Sequence, residues 1–348
     1  MALSKKMLRV GYSSALVAMM AGLAACGGGN QTATPDAGTD TAAAPSSDLT
    51  GAVLVDGSST VFPISEAMAE EFGAVNPGVA VTVGVSGTGG GFKKFCADET
   101  DITGASRPIT QEEIDLCAQA GIEYIELPIA FDGLTVVVNP ANEFAECLTI
   151  EELKTMWEPA AQGTITNWNQ IRADFPDAPL GLYGAGTDSG TYDFFMEAIG
   201  ADGESRGDYT ASEDDNVIVQ GVSSDPNGTG FFGLAYFVEN QESLKAVAID
   251  NGDGCVEPSS ETVADGTYQP LSRPEFIYVK LSKADDPAVA AFVDFYLSPD
   301  NANLVDEVGY VSVPSEINAK VIDRFASKTT GSVFNGGSPV GVKMDEVL

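Results

Sequence analysis

The sequence predicts a two-lobed α/β protein, and three observations carry that expectation. From Ala52 onward, short apolar runs alternate with stretches whose apolar residues recur at helical spacing. These strand-helix units fall into two successive groups, followed by a long return segment. At 348 residues and 44% hydrophobic side chains, the chain has enough length and apolar content for about two domains.

The elements follow in order. Ala52-Val53-Leu54-Val55 reads as a strand, and the next helix places Ile64, Met68 and Phe72 on one face. Residues 79–83 form a second strand, a helix begins at 92–97, and 101–105 is a short third strand. Thr110-Gln111-Glu112-Glu113 opens a helix, because a hydroxyl three residues ahead of a glutamate lets each side chain satisfy the other's backbone N–H. Two strands, 122–127 and 134–139, complete the first group. The second group contains a helix at 149–157 with acids in its first turn, a strand near 180–183 and a helix at 191–199. The return segment brings strands at 246–249 and 275–280, then helices at 287–297 and 316–325. Residues 51–139 and 246–348 are expected to build one lobe, and 140–245 the other. A ligand is expected in the cleft between them, at the carboxyl ends of strands.

The amino terminus reads as an export signal. Lys5, Lys6 and Arg9 precede an apolar run over residues 10–25, too short for a comfortable membrane span but suited to a signal core. Leu23-Ala24-Ala25-Cys26 resembles a bacterial lipobox, which implies cleavage before Cys26 and a lipid on Cys26 that anchors the exported chain to the membrane. Plain secretory cleavage is the alternative. Residues 26–50, rich in Gly, Thr, Ala, Pro and Ser, bury too little surface to offset ordering entropy and read as a flexible tether. Cys96, Cys117, Cys147 and Cys255 remain, an even number that suggests two disulfides in an exported protein. Three pairings are possible. Cys96 and Cys117 flank one short strand-helix unit, which favours Cys96–Cys117 with Cys147–Cys255.

Charge and composition exclude several functions. Seventeen Lys and Arg stand against 51 Asp and Glu, a formal charge of −34, so the chain lacks the basic surface that nucleic acid requires. Solubility in a salty setting explains acidic runs such as Glu213-Asp214-Asp215 better than metal binding does. No histidine is present, which removes Ser-His and Cys-His catalysis and imidazole ligation. Neither a metal site nor a cofactor is expected.

Three short clusters carry the chemistry. They are Asp56-Gly57-Ser58-Ser59-Thr60-Val61-Phe62-Pro63, Ser86-Gly87-Thr88-Gly89-Gly90-Gly91-Phe92-Lys93 and Gly186-Thr187-Asp188-Ser189-Gly190-Thr191-Tyr192. Each puts small residues, backbone N–H groups and a hydroxyl at a helix start, the combination that an anion needs. Singly, each is an ordinary N-cap or glycine turn. Together with one arginine, three helix starts of about half a charge each offer roughly +2.5, enough for a dianion. The second cluster lacks the Gly-Lys-Ser/Thr ending of a P-loop.

Taken in order, and with Asp101-Ile102-Thr103-Gly104-Ala105-Ser106-Arg107-Pro108 as a fourth segment, these clusters resemble the phosphate-binding proteins of bacterial high-affinity ABC phosphate importers, over about residues 54–310. The resemblance implies a class II periplasmic-binding-protein-like fold that closes on inorganic phosphate. It implies a non-catalytic monomer that delivers phosphate to a membrane permease. Carried over by position, Thr60 and Val61 would donate from the first start, with Ser59 beside them. Ser86 would donate from the second, and Ser189, Gly190 and Thr191 from the third. Two positions depart from the pattern: Arg107 stands where well-studied members have aspartate, and Ala185 where they have arginine. Arg107 is therefore expected to supply the cation. Asp132, or else Asp188, is expected to replace the carboxylate that accepts a hydrogen bond from protonated phosphate and disfavours fully ionised sulfate. Other tetrahedral oxyanions such as sulfate or molybdate are the alternative ligands, and a secreted phosphatase the alternative function.

Overall fold

The computed structural model describes residues 49–187, 189–201, 203–337 and 344–348. The export signal, Cys26, the tether up to residue 48, and Asp188 lie outside the described residues.

The first group comprises β1 (Gly51–Gly57), α1 (Val61–Val75), β2 (Val79–Val85), α2 (Thr88–Cys96), β3 (Ile102–Ala105), α3 (Gln111–Ala120) and β4 (Tyr124–Val138). The middle of the chain adds β5 (Cys147–Thr149), α4 (Ile150–Trp157), β6 (Gly181–Ala185), α5 (Gly190–Ala198), β7 (Thr210–Ser212), α6 (Asp215–Ser224), β8 (Gly228–Gly233) and α7 (Leu234–Asn240). Then come β9 (Lys245–Ala246), β10 (Ala248–Asp250), β11 (Cys255–Val256), α8 (Ser260–Ala264) and β12 (Ser272–Lys280). The return ends with α9 (Pro287–Leu297), α10 (Ala302–Glu307), β13 (Val311–Ser312) and α11 (Ser315–Ala326).

The main sheet runs β2-β1-β3-β12-β4-β8-β6-β7. β1 lies parallel to β2 and β3, while β12 runs antiparallel to β3 and β4. The 122–127 and 134–139 strands expected separately are one strand: β4 runs unbroken through Pro128 and Gly133, buried at every residue. Proline is tolerated there because the register against β12 shifts between Glu275, opposite Ala130, and Phe276, opposite Pro128. Gly133 is required by close approach, since a Cβ would lie 2.7 Å from a Val263 methyl. β4 pairs with β12 as far as Gly133 and with β8 from Leu134 onward, so it belongs to both halves of the sheet. This strand makes the molecule two-lobed.

Each half has its own packing. In the first, Ile64, Met68 and Phe72 of α1 are buried, and Phe72 meets Phe292 of α9 edge-on at 5.3 Å. In the second, Phe195 of α5 stacks on Phe231 of β8 at 3.8 Å, and Trp157 meets both edge-on. That aromatic group seats α5 on the sheet. Trp168 is buried against Phe144 and Phe175. Capping boxes open α3 at Thr110 with Glu113 and α4 at Thr149 with Glu152. Disulfides join Cys96 to Cys117 and Cys147 to Cys255. The second ties β5 to β11 across 108 residues, worth about 4–5 kcal/mol on a chain-entropy account. Among the described residues, no helix is long and apolar enough to cross a membrane.

Candidate anion-binding site

The parallel strands β1, β2 and β3 end side by side, with Gly57 opposite Val85 and Gly104. Ser58, Ser86 and Ser106 follow those ends directly. The backbone knits the row together: Ser58 N–H donates to Gly104 O at 3.0 Å and Ser86 N–H to Gly57 O at 3.1 Å. Glycine is what allows this crowding, since a Cβ on Gly91 would come within 2.6 Å of Gly57 Cα. No side chain of the N-cap residue closes α1 or α2 among the described residues. In α1, Phe62 N–H is taken by Ser58 O at 3.0 Å and Pro63 has no N–H, which leaves Val61 as the first-turn amide for a ligand.

The third start arrives from the other half of the sheet. β6 ends at Ala185 and α5 begins at Gly190, with Ser189 Oγ accepting from Thr191 N–H at 3.1 Å. That bond uses a lone pair of Ser189 and leaves its proton to donate elsewhere. A Cβ on Gly190 would sit 2.6 Å from Thr60 Cγ2 and 3.3 Å from Ser59 Oγ. The first and third clusters therefore meet across the crevice, and Val61 follows Thr60 as the first residue of α1.

The other expected residues have partners of their own. The Ser86 hydroxyl donates to Asp56, which also pairs with Lys94 at 2.6 Å. Arg107 donates in bidentate fashion to Glu113, Nη1 at 2.8 Å and Nη2 at 2.9 Å. The Glu113 carboxyl is pulled up by burial, but Arg107 and the Thr110 amide outweigh this and hold it below the usual range. Arg107 borders the second cluster, since a Cβ on Gly89 would lie 4.0 Å from its Nη2. Thr88 Oγ1 lies 3.1 Å from Ser106 Oγ and accepts from Ser106 N–H.

Asp132 lies on β4 immediately before the crossing between the two halves, buried and joined to Arg273 of β12, whose Nη2 is 3.2 Å from Asp132 Oδ2. Arg273 Nε is also 3.3 Å from Oε1 of Glu275, which has no exposed surface. The guanidinium sits 3.8 Å over the ring of Phe194 on α5. Glu275 in turn accepts from Thr60 Oγ1, at 3.0 and 3.1 Å to its two oxygens. A buried charged floor thus connects Asp132 to the first cluster through Arg273 and Glu275. Burial raises both the Asp132 and Glu275 carboxyls, against the pull of Arg273.

Arg273, Glu275 and Phe194 lie outside the clusters legible in the sequence, and Ser58 lies inside the first one without an expected role. The strand expected at 275–280 begins three residues earlier, at Ser272. The available signal was Arg273 and Glu275 flanking Pro274 ahead of the apolar run Phe276–Val279, since charges entering a buried strand need partners.

Comparison with known proteins agrees with this architecture. The PBP superfamily domain matches residues 32–300. The protein SphX of Synechococcus elongatus is 52% identical over 297 residues, covering 85% of this chain and 88% of that protein. The phosphate-binding protein PstS of Staphylococcus saprophyticus is 38% identical over 296 residues, covering 84% and 86%. The crystal structure of a possible phosphate-binding protein from Planctomyces limnophilus matches with a TM-score of 0.76 at 50% identity, over 81% of this chain and 99% of that one. With strand ends, helix starts and relatives in agreement, the chain belongs to the PstS-like phosphate-binding proteins of the PBP superfamily.

Proposed function

We propose that the chain binds inorganic phosphate between its lobes and delivers it to an ABC permease outside the cytoplasmic membrane, without catalysing a reaction. The observation that carries this reading is the contact of Gly190 with Ser59 and Thr60, which brings helix starts from the two halves of the sheet to one crevice. Amides at the starts of α1, α2 and α5 then oppose the ligand's charge, in a molecule whose net charge is strongly negative.

In this reading Thr60, Val61, Ser86, Ser189, Gly190 and Thr191 line the anion, with Ser59 at the contact. Arg107 turns from Glu113 to supply the cation, bidentate to phosphate oxygens as it is now to the carboxylate. Asp132 acts through Arg273, and Asp188 stands beside the third start in the sequence. A lipid on Cys26 holds the monomer at the membrane. A phosphatase would need an activated nucleophile, and a chain without histidine gives Ser189 no imidazole.

Calorimetry with phosphate, sulfate and arsenate from pH 5 to 9 tests this, alongside a chromogenic phosphate ester. The expected result is one phosphate per chain, tighter than sulfate, with the ester intact. Tighter sulfate binding, or ester turnover, would replace the reading.

A further inference from the structure

Thr60 has more to do than its single proton allows. Its Oγ1 lies 3.0 and 3.1 Å from the two oxygens of Glu275 and 2.8 Å from Ser58 Oγ. A hydroxyl has one proton and two lone pairs. An ionised Glu275 can only accept, so it takes the Thr60 proton. With Ser58 donating into one lone pair, Thr60 then has only its second lone pair to offer an anion. An oxyanion carrying a proton donates into that lone pair; a fully ionised one meets oxygen against oxygen. If Glu275 is protonated, its O–H donates to Thr60, and the Thr60 proton is released toward the anion.

Glu275 sits where both states are accessible. On its own strand it faces Arg273, and from β4 it feels Asp132, so two acids share one guanidinium. From the residue ahead of α1 it meets Thr60, from α9 Tyr296, and from the turn before β13 Tyr310; both phenols are themselves pushed up by burial. Beyond Arg273 lie Phe194 and Asp193 of α5. Burial pushes the Glu275 carboxyl up to about 8, against the pull of Arg273 and with the repulsion of Asp132 added.

We propose that Glu275 is a specificity-determining residue that sets whether Thr60 accepts or donates at the anion site. Ionised, it restricts the site to oxyanions that carry a proton; protonated, it admits fully ionised ones as well. The idea rests on the reading of Thr60 as an anion contact. It assigns to Glu275 the proton-reading role that sequence analysis expected of Asp132, which acts through Arg273 as a positioning residue.

Sulfate is the cleaner probe because, unlike phosphate, it holds the same charge across pH 5–9. Its binding to the wild-type chain, measured by competition against phosphate where weak, should tighten about tenfold or more from pH 9 to pH 5, the scale of one charge-assisted hydrogen bond gained. Glu275→Gln, whose amide donates to Thr60 as the protonated acid would, should bind sulfate at pH 9 as the wild type does at pH 5, and should lose the pH dependence. Thr60→Val should also flatten the profile. A wild-type sulfate profile flat within twofold overturns the proposal even if Glu275→Gln fails to fold. So does a Glu275→Gln chain that keeps the wild-type slope. The underlying site reading fails separately, if Thr60→Val and Ser189→Ala both leave phosphate affinity unchanged.

Discussion

The two arginines of the site region hold their charges in different ways. Arg107 lies at the edge of the second cluster with its side chain 37% exposed, in a bidentate pair with Glu113. Arg273 is 12% exposed, divided between Asp132 and Glu275 and covered by Phe194. Arg107 reaches solvent on one side, and Glu113 keeps its bonds from the Thr110 amide and hydroxyl when Arg107 departs, so Arg107 can exchange Glu113 for a ligand without leaving that carboxylate unpaired. A guanidinium between two buried acids cannot leave without stranding both. One arginine is positioned to be spent on a visitor, the other to keep the floor of the crevice intact.

The largest break in this comparison comes from Arg273→Met, which keeps bulk and removes charge. It should cost about 3–5 kcal/mol at pH 8 in urea unfolding. The loss should shrink toward pH 5. Both carboxyls titrate above their unfolded values, so the stability conferred by their neutral forms is complete at acid pH and fades as pH rises through the folded values. An equal loss at both pH values would mean that the acids are not what Arg273 neutralises.

Gly190→Ala probes the contact between the halves. Its Cβ would press on Thr60, and overpacking of about 1–3 kcal/mol corresponds to roughly 5- to 150-fold weaker phosphate binding by calorimetry. Undiminished affinity would show that the halves need not touch there. Arg107→Ala sharpens the contrast: phosphate affinity should fall about tenfold or more, while unfolding free energy drops by about 1–2 kcal/mol, less than for Arg273→Met. Affinity within twofold of wild type would remove Arg107 from the site. The smallest effect belongs to Lys94→Met. It releases a 40%-exposed lysine from Asp56 and should alter thermal stability by about 1 kcal/mol or less.

The contrast also marks what the sequence could disclose. Helix starts were legible because local physics writes them locally: Thr110 with Glu113 is a capping box in four letters, and Ser189 caps α5 just where a hydroxyl precedes Gly190. Arg107 stood out for a different reason, as an arginine where the resemblance led to an aspartate. Arg273 and Glu275 showed in sequence only as charges entering a buried strand; what they pair with was hidden, because Asp132 and Thr60 are 141 and 215 residues away in the chain. β4 was misjudged at its middle for a related cause. Pro128 and Gly133 look like breaks in sequence, but pairing on both flanks overrides that local preference. The helix at 215–224 and the strand at 228–233 were missed altogether. Acidic letters dominate the approach to the helix and mask the short apolar face of Ile218, Val219 and Val222, and glycine and threonine begin the strand.

The unbroken course of β4 has a mechanical consequence. A door swings on a pin that bears no load, but here the connecting ribbon is laced by ladder bonds along most of its length and hidden from water throughout. Any opening of the jaws must be spread as slight torsion over many residues, as in a leaf spring, and should recoil when released. Amides around Phe131–Leu134 would then exchange with deuterium as slowly as the protein's deepest core, while the mouth above them breathes freely.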